Sequence, residues 1–265
     1  MDKNKIETLV KEALGDITLE FQRVQKNNSM LDGVVVRRET ATCCPVIYIN
    51  TEDTPEHIAD TIIKAYKAAP GLAVDPATLQ DKNFIFKNVL PFVVKFADNA
   101  YVLDKARTTF LDLAVLYRVY LSPDASFVIP QDMPKKSGFT VEELHAAALE
   151  NLRQDVKITS MAEMLGMPEM PGMSEMIIIT NKRGSYGAAG VLLPEILQQV
   201  GERIGSDFYI LPSSIHELIA INADNMDYEN ARGMICTVNA AEVADCDILS
   251  DHPYFYKLQA GILTT

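Results

Sequence analysis

Two hydrophobic periodicities alternate along the chain. Apolar residues spaced three and four positions apart predict amphipathic helices, whereas alternation of apolar and polar residues predicts strands with one buried face. The helical spacing predicts helices over residues 6–14, 55–69, 141–153, 194–204 and 227–240. The strand signal recurs at residues 17–25, 34–39, 44–50, 89–96, 110–121, 126–130, 176–180, 207–211, 217–222 and 254–258. These segments show no repeat, and their order predicts a mixed α+β fold with mostly antiparallel sheets and about five to six flanking helices.

The clearest helix start is a capping box at Thr140. The Thr140 hydroxyl can accept a hydrogen bond from the backbone N–H of Glu143, and the Glu143 side chain can accept one from the backbone of Thr140. Phe139 can also pack on Leu144 as a hydrophobic staple. We therefore expect this helix to begin at residue 141.

The first two predicted strands should form a hairpin. They are joined by the turn-rich segment NNSMLDG, and residues 44–50 supply a third strand. Further along, residues 110–121 (FLDLAVLYRVYL) predict a central strand whose odd positions are apolar. Its other face carries Asp112 and Arg118, about 20 Å apart, so each needs a partner elsewhere. Asp112 is therefore a candidate functional acid, although a hydrogen-bonded structural acid is the more common case.

The length and composition are those of a globular protein. With 265 residues and 48% hydrophobic content, the chain can bury one sizeable core. We predict a single domain over residues 1–265. Pro70-Gly71 is a candidate boundary between an N-terminal subdomain, residues 1–70, and a main subdomain, residues 72–265.

The charge argues against two classes of partner. Lys and Arg number 24 against 36 Asp and Glu, a net charge of -12 that repels nucleic acid and anionic membrane surfaces. The N-terminal residues lack the apolar run of a signal peptide, and the four cysteines lack CxxC spacing. We expect a cytoplasmic protein with no cofactor and no metal. The sequence carries no signal of an oligomeric state.

A methionine-rich linker occupies residues 161–176. Methionine recurs at every third position, while prolines and glycines interrupt a helix there. A polyproline II path would place the thioethers on one side of the chain. Three interpretations remain open: a Cu(I) site, an adaptable lid or partner-binding strip, and a packed linker. Cytosolic thiolates outcompete thioethers for copper, which favours the last two. The candidate binding residues of the strip are Met164, Met167, Met170 and Met173.

The glycine-rich segment NKRGSYGAAG, residues 181–190, follows a predicted strand, where phosphate-binding loops occur. Its glycines are each three positions apart and match neither GxGxxG nor GxxxxGK[ST]. A turn followed by close-packed small residues is the favoured interpretation. Asn181 and Gly187 nevertheless remain candidate ligand or partner-binding positions.

The segment LPSSIHEL, residues 211–218, brings together hydroxyl, imidazole and carboxyl groups. A helical turn would use Ser214 and Glu217 as caps, and a strand would send His216 and Glu217 to opposite faces. The apolar run that follows favours a strand entered through a serine-rich turn. No GxSxG elbow and no HExxH helix is present. A local triad is therefore a poor hypothesis.

A composite site remains open, because catalytic groups are commonly drawn from separate segments. His216 could meet Asp112, or Asp251 and His252, across the sheet and form a general-base or metal centre. The candidate catalytic residues are Ser213, Ser214, His216, Glu217, Asp251 and His252.

Several stretches in this order resemble a bacterial family, domain of unknown function 5688. They are FLDLAVLYRVYL, GFTVEELHAAALENL with ITSMAEML, IIITNKRGSYGAAGVLLPEIL, YILPSSIHELIAI and VNAAEVADCDILSDHPYFY, and together they span about residues 15–258. The resemblance implies a bacterial, cytoplasmic protein and transfers no activity. The methionine segment, broken by proline and glycine, departs from the plainer helix and linker expected there. The recognisable family positions are Asn181, Gly187, Ala188, Pro212, Ser213, Ser214, His216, Glu217, Ser250 and Asp251.

Two functions follow as expectations. The first is a non-enzymatic binding or adaptor protein that holds a protein or peptide partner. The alternative is a hydrolase or metal-dependent enzyme with a composite Ser, His, Glu and Asp site. The enzyme hypothesis requires His216 to reach serine or aspartate side chains in an open pocket, whereas the binding hypothesis expects an imidazole held by the backbone.

Overall fold

The computed structural model describes residues 1–37, 44, 46–68, 74–123, 125–166, 176–224 and 226–265. Helices combine there with three antiparallel sheets, which confirms the α+β class. The helices are α1 Lys3–Leu14, α2 Pro55–Ala68, α3 Pro76–Gln80, α4 Lys82–Asn88, α5 Met133–Lys136, α6 Val141–Asp155, α7 Met161–Leu165, α8 Pro194–Ile204 and α9 Tyr228–Ala241. The described residues hold more helices than predicted, because α3, α4, α5 and α7 are too short to show a periodicity.

The N-terminal sheet has the order β1-β2-β3, with β1 Thr18–Lys26, β2 Ser29–Arg37 and β3 Val46–Tyr48. Lys26 pairs with Ser29, so the hairpin turn contains only Asn27 and Asn28 and is shorter than predicted. Asn27 has a φ of 47°, in the left-handed region that asparagine tolerates better than most residues. Helices α1 and α2 cover one face of this sheet and bury Ile6, Val10, Ile58 and Ile62.

The central sheet contains β4 Val89–Lys95, β5 Arg107–Phe110, β6 Leu113–Ser122 and β7 Ala125–Val128, with β6 paired to the other three. The prediction of one strand over residues 110–121 is wrong at its start. The chain reverses at Leu111 and Asp112, where Leu111 has a φ of 52° and is 42% exposed. Asp112 therefore lies in a hairpin turn and not on the second face of the sheet.

Four odd positions of β6 are buried as predicted, while Leu121 is half-buried. Leu113, Val115, Tyr117 and Val119 belong to the main hydrophobic core together with Leu144 and Leu152 of α6. Helix α6 begins at Val141 behind the predicted capping box: Thr140 Oγ1 accepts from the Glu143 N–H at 3.2 Å, and Glu143 Oε2 accepts from the Thr140 N–H at 2.8 Å.

The contact between α6 and β6 yields a prediction about pH. Tyr117 Oη lies 3.0 Å from His145 Nδ1. Burial lowers the pKa of His145, so below the ordinary histidine pKa of about 6.5 the unfolded chain binds more protons than the folded one. The burial of uncharged His145 therefore adds its full contribution to the unfolding free energy above the ordinary histidine pKa. This contribution is lost as the pH falls towards the lower pKa of the folded state. We expect His145→Gln to reduce the fall in unfolding free energy between about pH 7 and about pH 5.5, by less than about 1 kcal/mol.

Urea denaturation of both proteins at the two pH values measures this difference. His57→Gln, which removes an imidazole from an exposed position of α2, is the matched control for the substitution itself. An identical pH dependence in wild type and His145→Gln would refute the prediction.

The third sheet has the order β13-β12-β10-β11-β9-β8. Its strands are β8 Val156–Ser160, β9 Ile177–Asn181, β10 Phe208–Leu211, β11 Leu218–Asn222, β12 Tyr254–Lys257 and β13 Ile262–Thr264. Strands β9, β10 and β12 contribute Ile179, Phe208, Tyr254 and Tyr256 to the main core. Within the described residues, no helix is both long enough and apolar enough to cross a bilayer.

The N-terminal sheet contacts the rest of the protein through the tip of its hairpin. Asn27 is 4% exposed, and its Nδ2 donates to the carbonyl oxygen of Ile248 at 2.7 Å. Its Oδ1 accepts from Nδ2 of Asn99, which is 1% exposed, at 3.1 Å. The candidate boundary at Pro70-Gly71 lies outside the described residues, and the single-domain organisation stays a prediction.

Candidate functional site

The serine-rich segment is paired in an extended conformation with a second segment near the C-terminal end. Ser214 bridges Ile248, the Leu249 N–H donates to the Ser213 carbonyl at 3.1 Å, and the Ile215 N–H donates to the Asp247 carbonyl at 2.9 Å. The chain then enters β11, as the predicted strand reached through a serine-rich turn requires. This pairing buries Ser213 and Ser214, which are 6% and 5% exposed.

Both ring nitrogens of His216 have partners. Nδ1 accepts a hydrogen bond from the backbone N–H of Tyr186 at 3.1 Å, and Nε2 lies 3.3 Å from Asp247 Oδ1. Because Nδ1 is an acceptor, the proton of the neutral imidazole is assigned to Nε2, facing the carboxylate. This arrangement leaves no free lone pair for a general base. Ser214 Oγ accepts the His216 N–H at 3.0 Å, so its hydroxyl serves the backbone.

Asp247 contacts two groups, the Lys26 ammonium and the His216 imidazole. Lys26 Nζ, at the end of β1, lies 3.1 Å from the Asp247 Oδ1 that also faces His216. Burial opposes the charge of Lys26, but the hydrogen bond and charge of Asp247 outweigh it and raise the pKa of Lys26. Lys26 is therefore a cation whose position is fixed by the site. The sequence singled out neither residue, because neither belongs to a recognisable motif.

Asn181 and Gly187 shape the loop that leads to His216. Asn181 Oδ1 accepts from the N–H groups of Arg183 and Ser185 at 3.1 and 3.2 Å, and Nδ2 donates to the Ser185 carbonyl at 2.7 Å. The Gly187 N–H donates to the His216 carbonyl at 2.9 Å. A Cβ on Gly187 would lie only 2.6 Å from that carbonyl oxygen. Residues 187–192 then form the close-packed, buried turn that the small residues predicted.

Three of the predicted catalytic residues, together with Asp112, occupy two separate places. His216 faces Asp247, while His252 makes a second group with Asp251 and Asp112. His252 Nδ1 lies 3.1 Å from Ser250 Oγ and 3.2 Å from Asp251 Oδ1, and Nε2 lies 3.5 Å from Asp112 Oδ2. The six candidates therefore do not converge in one cleft. Glu217, half-buried, makes no hydrogen bond or ion pair with the described residues.

The second group, which we call the His252 centre, contains Asp112, Ser250, Asp251, His252 and Tyr254. Tyr254 Oη donates to Asp112 Oδ1 at 2.7 Å, and burial, reinforced by Asp112, raises the pKa of Tyr254. The hydrogen bond from His252, assisted by Lys95 at 3.2 Å, lowers the pKa of Asp251. Ser250 is only 1% exposed. The centre thus has the residue types of a Ser-His-Asp relay, with its hydroxyl group enclosed by protein.

A third group of residues surrounds Arg118. The sequence indicated that Arg118 needs a partner, but it did not predict the residues of this group. We call it the tyrosine–arginine cluster: Arg118, Tyr48, Tyr101, Tyr120 and Tyr186. The Arg118 guanidinium lies 4.5 Å from the Tyr186 ring centroid and 5.1 Å from that of Phe92. Its Nη1 donates to Ser126 Oγ at 2.9 Å and its Nη2 to Tyr186 Oη at 3.2 Å. Its members belong to β3, to the segment between β4 and β5, to β6 and to the 181–187 loop.

Burial raises the pKa of the peripheral tyrosines of this cluster. The pKa of Tyr101 rises to about 12, and those of Tyr48 and Tyr120 rise as well. The positive charge of Arg118 lowers the pKa of all three tyrosines and so opposes the rise. All three therefore remain protonated at neutral pH and can donate hydrogen bonds.

The methionine-rich segment 161–176 is described at its two ends, residues 161–166 and 176. Met164 is 54% exposed at the end of α7, while Met167, Met170 and Met173 lie outside the described residues. In the part of the chain that the structure describes, no group of three His, Cys, Asp or Glu residues is arranged to hold a metal ion.

Comparison with known proteins identifies a family but no activity. No curated protein and no solved structure gives a significant match. The sequence model of one family, described as a Family of unknown function (DUF5688), matches residues 3–258. Since this match covers nearly the whole chain, it confirms the resemblance, and the protein belongs to the DUF5688 family.

Proposed function

We propose that this protein is a cytoplasmic binding protein without catalytic activity, and that it holds a protein or peptide partner. The observation that carries the proposal is the double engagement of His216, by the Tyr186 N–H at 3.1 Å and by Asp247 at 3.3 Å. The aspartate contact alone would also suit an enzyme, but the Nδ1 lone pair that a general base needs is occupied by a backbone N–H, so the imidazole serves as a structural link.

The neighbouring groups support the same function. Ser213 and Ser214 are buried, and the Ser214 hydroxyl accepts a backbone N–H two residues away. Asn181 and Gly187 hold the loop that supplies Tyr186. The recognisable family positions around His216 therefore act together to fix one loop conformation, and what that loop presents at the surface is Tyr186 beside Arg118.

One specific observation favours a second candidate, a serine hydrolase at the His252 centre. Ser250 Oγ and Asp112 Oδ2 lie on opposite ring nitrogens of His252, at 3.1 and 3.5 Å. In such a relay the imidazole would take the serine proton while the carboxylate orients the ring. Against this, Ser250 is 1% exposed, and Asp251 Oδ1 lies 3.2 Å from the same nitrogen as the serine.

A fluorophosphonate probe separates the two candidates. An activated serine attacks the phosphorus, fluoride leaves, and the protein gains the mass of one phosphonyl group. We expect no adduct on the folded full-length chain under conditions that label a reference serine hydrolase completely, because the hydroxyl groups are enclosed or bonded to backbone.

The matched variants are Ser250→Ala and His252→Ala, with intact mass and peptide mapping as the readout. An adduct on Ser250 that disappears in His252→Ala would establish the hydrolase and overturn the binding proposal. An adduct on Ser213 or Ser214 would overturn it equally.

A further inference from the structure

Arg118 is a half-buried cation that has no carboxylate partner among the described residues. No Asp or Glu of the described residues forms an ion pair with it, although neighbouring cations do have such partners: Lys26 pairs with Asp247 at 3.1 Å and Arg183 with Asp155 at 3.5 Å. Partly buried charges are normally paired or bound to a ligand of opposite charge, because removing them from water is costly. The part of the chain that the structure describes therefore supplies no anion to Arg118.

The Arg118 side chain has N–H groups that its contacts with the described residues do not use. Its Nη1 and Nη2 each use one N–H on Ser126 and Tyr186, which leaves one N–H on each nitrogen. Its Nε is buried and makes no hydrogen bond within the described residues. Because Tyr186 Oη accepts from Arg118, its own proton is free to be donated. Donors thus outnumber acceptors around this guanidinium.

Three tyrosines form the rim of the tyrosine–arginine cluster: Tyr48, Tyr101 and Tyr120. Their hydroxyl groups add further hydrogen-bond donors, and all three residues are at least partly exposed. Tyr48 is 44% exposed, and Tyr101 and Tyr120 are half-buried. None of their three hydroxyl groups makes a hydrogen bond in the described part of the chain. Tyrosine and arginine are the side chains enriched at the energetic centres of protein interfaces, where a rigid ring and a planar cation bind with little loss of entropy.

The single positive charge of the tyrosine–arginine cluster favours a ligand with a single negative charge. Lys26 and Arg183 are each balanced by an aspartate, so Arg118 contributes one uncompensated positive charge on a chain whose net charge is -12. A single carboxylate matches one charge and the planar guanidinium fork, whereas a dianionic phosphate would leave an excess negative charge in acidic surroundings.

We propose that Arg118 anchors a binding site for a carboxylate group of a peptide partner, with Tyr186 and the rim tyrosines as further donors. This inference rests on the proposed binding function and names the chemistry of the partner. The carboxylate comes either from a peptide C-terminus or from an Asp or Glu side chain, and the two sources share the same contacts.

The test titrates the full-length protein with four probes: acetyl-Ala-Ala-Ala as the free acid, the same peptide as its C-terminal amide, acetyl-Ala-Glu-Ala amide, and inorganic phosphate. The readouts are the Arg118 Nε–H resonance in a ¹H–¹⁵N spectrum and tyrosine fluorescence. Fluorescence is informative because the chain has no tryptophan, and four of its ten tyrosines belong to the cluster.

We expect the free acid, the glutamate peptide or both to shift the Arg118 resonance to saturation, and the neutral amide to leave it unchanged. Free acid alone assigns a C-terminal carboxylate, and the glutamate peptide alone assigns a side chain. Arg118→Gln should weaken binding at least about tenfold, because a charge-assisted hydrogen-bonded pair is lost. Arg23→Gln, which removes the same charge from an exposed position on β1, should bind as wild type does.

Two further variants keep the inference falsifiable if Arg118→Gln fails to fold. Tyr48→Phe and Tyr186→Phe each remove one hydroxyl donor and should weaken binding several-fold. Saturation by phosphate but by neither carboxylate peptide would overturn the ligand class. No response to any of the four probes would overturn the site and leave Arg118 as a structural cation.

Failure of this inference is distinguishable from failure of the proposed function. Fluorophosphonate labelling reports on Ser213, Ser214 and Ser250, and none of these residues contacts Arg118 in the described structure. A silent carboxylate titration without labelling removes the Arg118 site and retains the binding function. His252-dependent labelling removes the binding function whatever the titration shows.

Discussion

Gly187→Ala is expected to lower the free energy of unfolding by about 3 kcal/mol. The added Cβ would lie 2.6 Å from the His216 carbonyl oxygen and 2.7 Å from both the Asn181 nitrogen and the Thr180 Cα. All three neighbours are backbone atoms held by strand or turn hydrogen bonds, so no flexible side chain can move aside. Urea denaturation followed by far-UV circular dichroism measures the change.

Gly233→Ala supplies the matched control. Gly233 lies in α9, and no atom lies within 4 Å of the place that an added methyl group would occupy, so the same substitution should stabilise the protein by about 0.5–1 kcal/mol through helix propensity. If Gly187→Ala unfolds at the wild-type urea concentration, the close approach of the 181–187 loop to His216 is wrong. The Tyr186 N–H to His216 hydrogen bond, which carries the proposed function, would then need revision.

Asp112→Ala is expected to destabilise the protein by about 2 kcal/mol. Asp112 Oδ1 accepts from the hydroxyl of the fully buried Tyr254 at 2.7 Å, and Oδ2 faces His252 at 3.5 Å. Removal of the carboxylate leaves a buried phenol without an acceptor, and the desolvation cost of that group is then uncompensated. Asp112→Asn should lose less, because its amide oxygen can still accept from Tyr254.

A double-mutant cycle with Tyr254→Phe isolates this hydrogen bond. Removing both partners should cost less than the sum of the single changes, since no buried polar group is then left unpaired. Asp98→Ala provides the control: it removes an exposed carboxylate that contacts Lys95 at 3.5 Å and should change stability by less than about 0.5 kcal/mol. Additive effects of Asp112→Ala and Tyr254→Phe would show that the two side chains do not interact.

Local signals in the sequence predict much of the fold. The capping box at Thr140 locates the start of α6 because its hydrogen bonds are made between residues three apart. The strand after LPSSIHEL is likewise predicted by its β-branched residues. The reversal at Leu111 is different, since leucine rarely adopts a positive φ and no glycine or asparagine marks the turn. Pairing of β5 with β6 imposes that conformation.

The candidate site is less predictable because its contacts join distant segments. His216 takes its partners from Tyr186 and Asp247, and the Tyr186 contribution is a backbone N–H that no side-chain pattern reveals. The surroundings of Arg118 are equally dispersed, since its rings come from Phe92 and Tyr186. The sequence does show that Arg118 requires a partner, but not which one.

The junction at Asn27 has a consequence for biosynthesis. Lys26 and Asn27 reach Asp247 and Ile248 across 221 positions of the chain, so these contacts close only after residues 247 and 248 have left the ribosome. Tyr48 is carried by the same N-terminal sheet. The N-terminal sheet that carries Tyr48 is thus fixed against the rest of the protein only after residue 248 is made, and a nascent chain that ends before this residue lacks the junction.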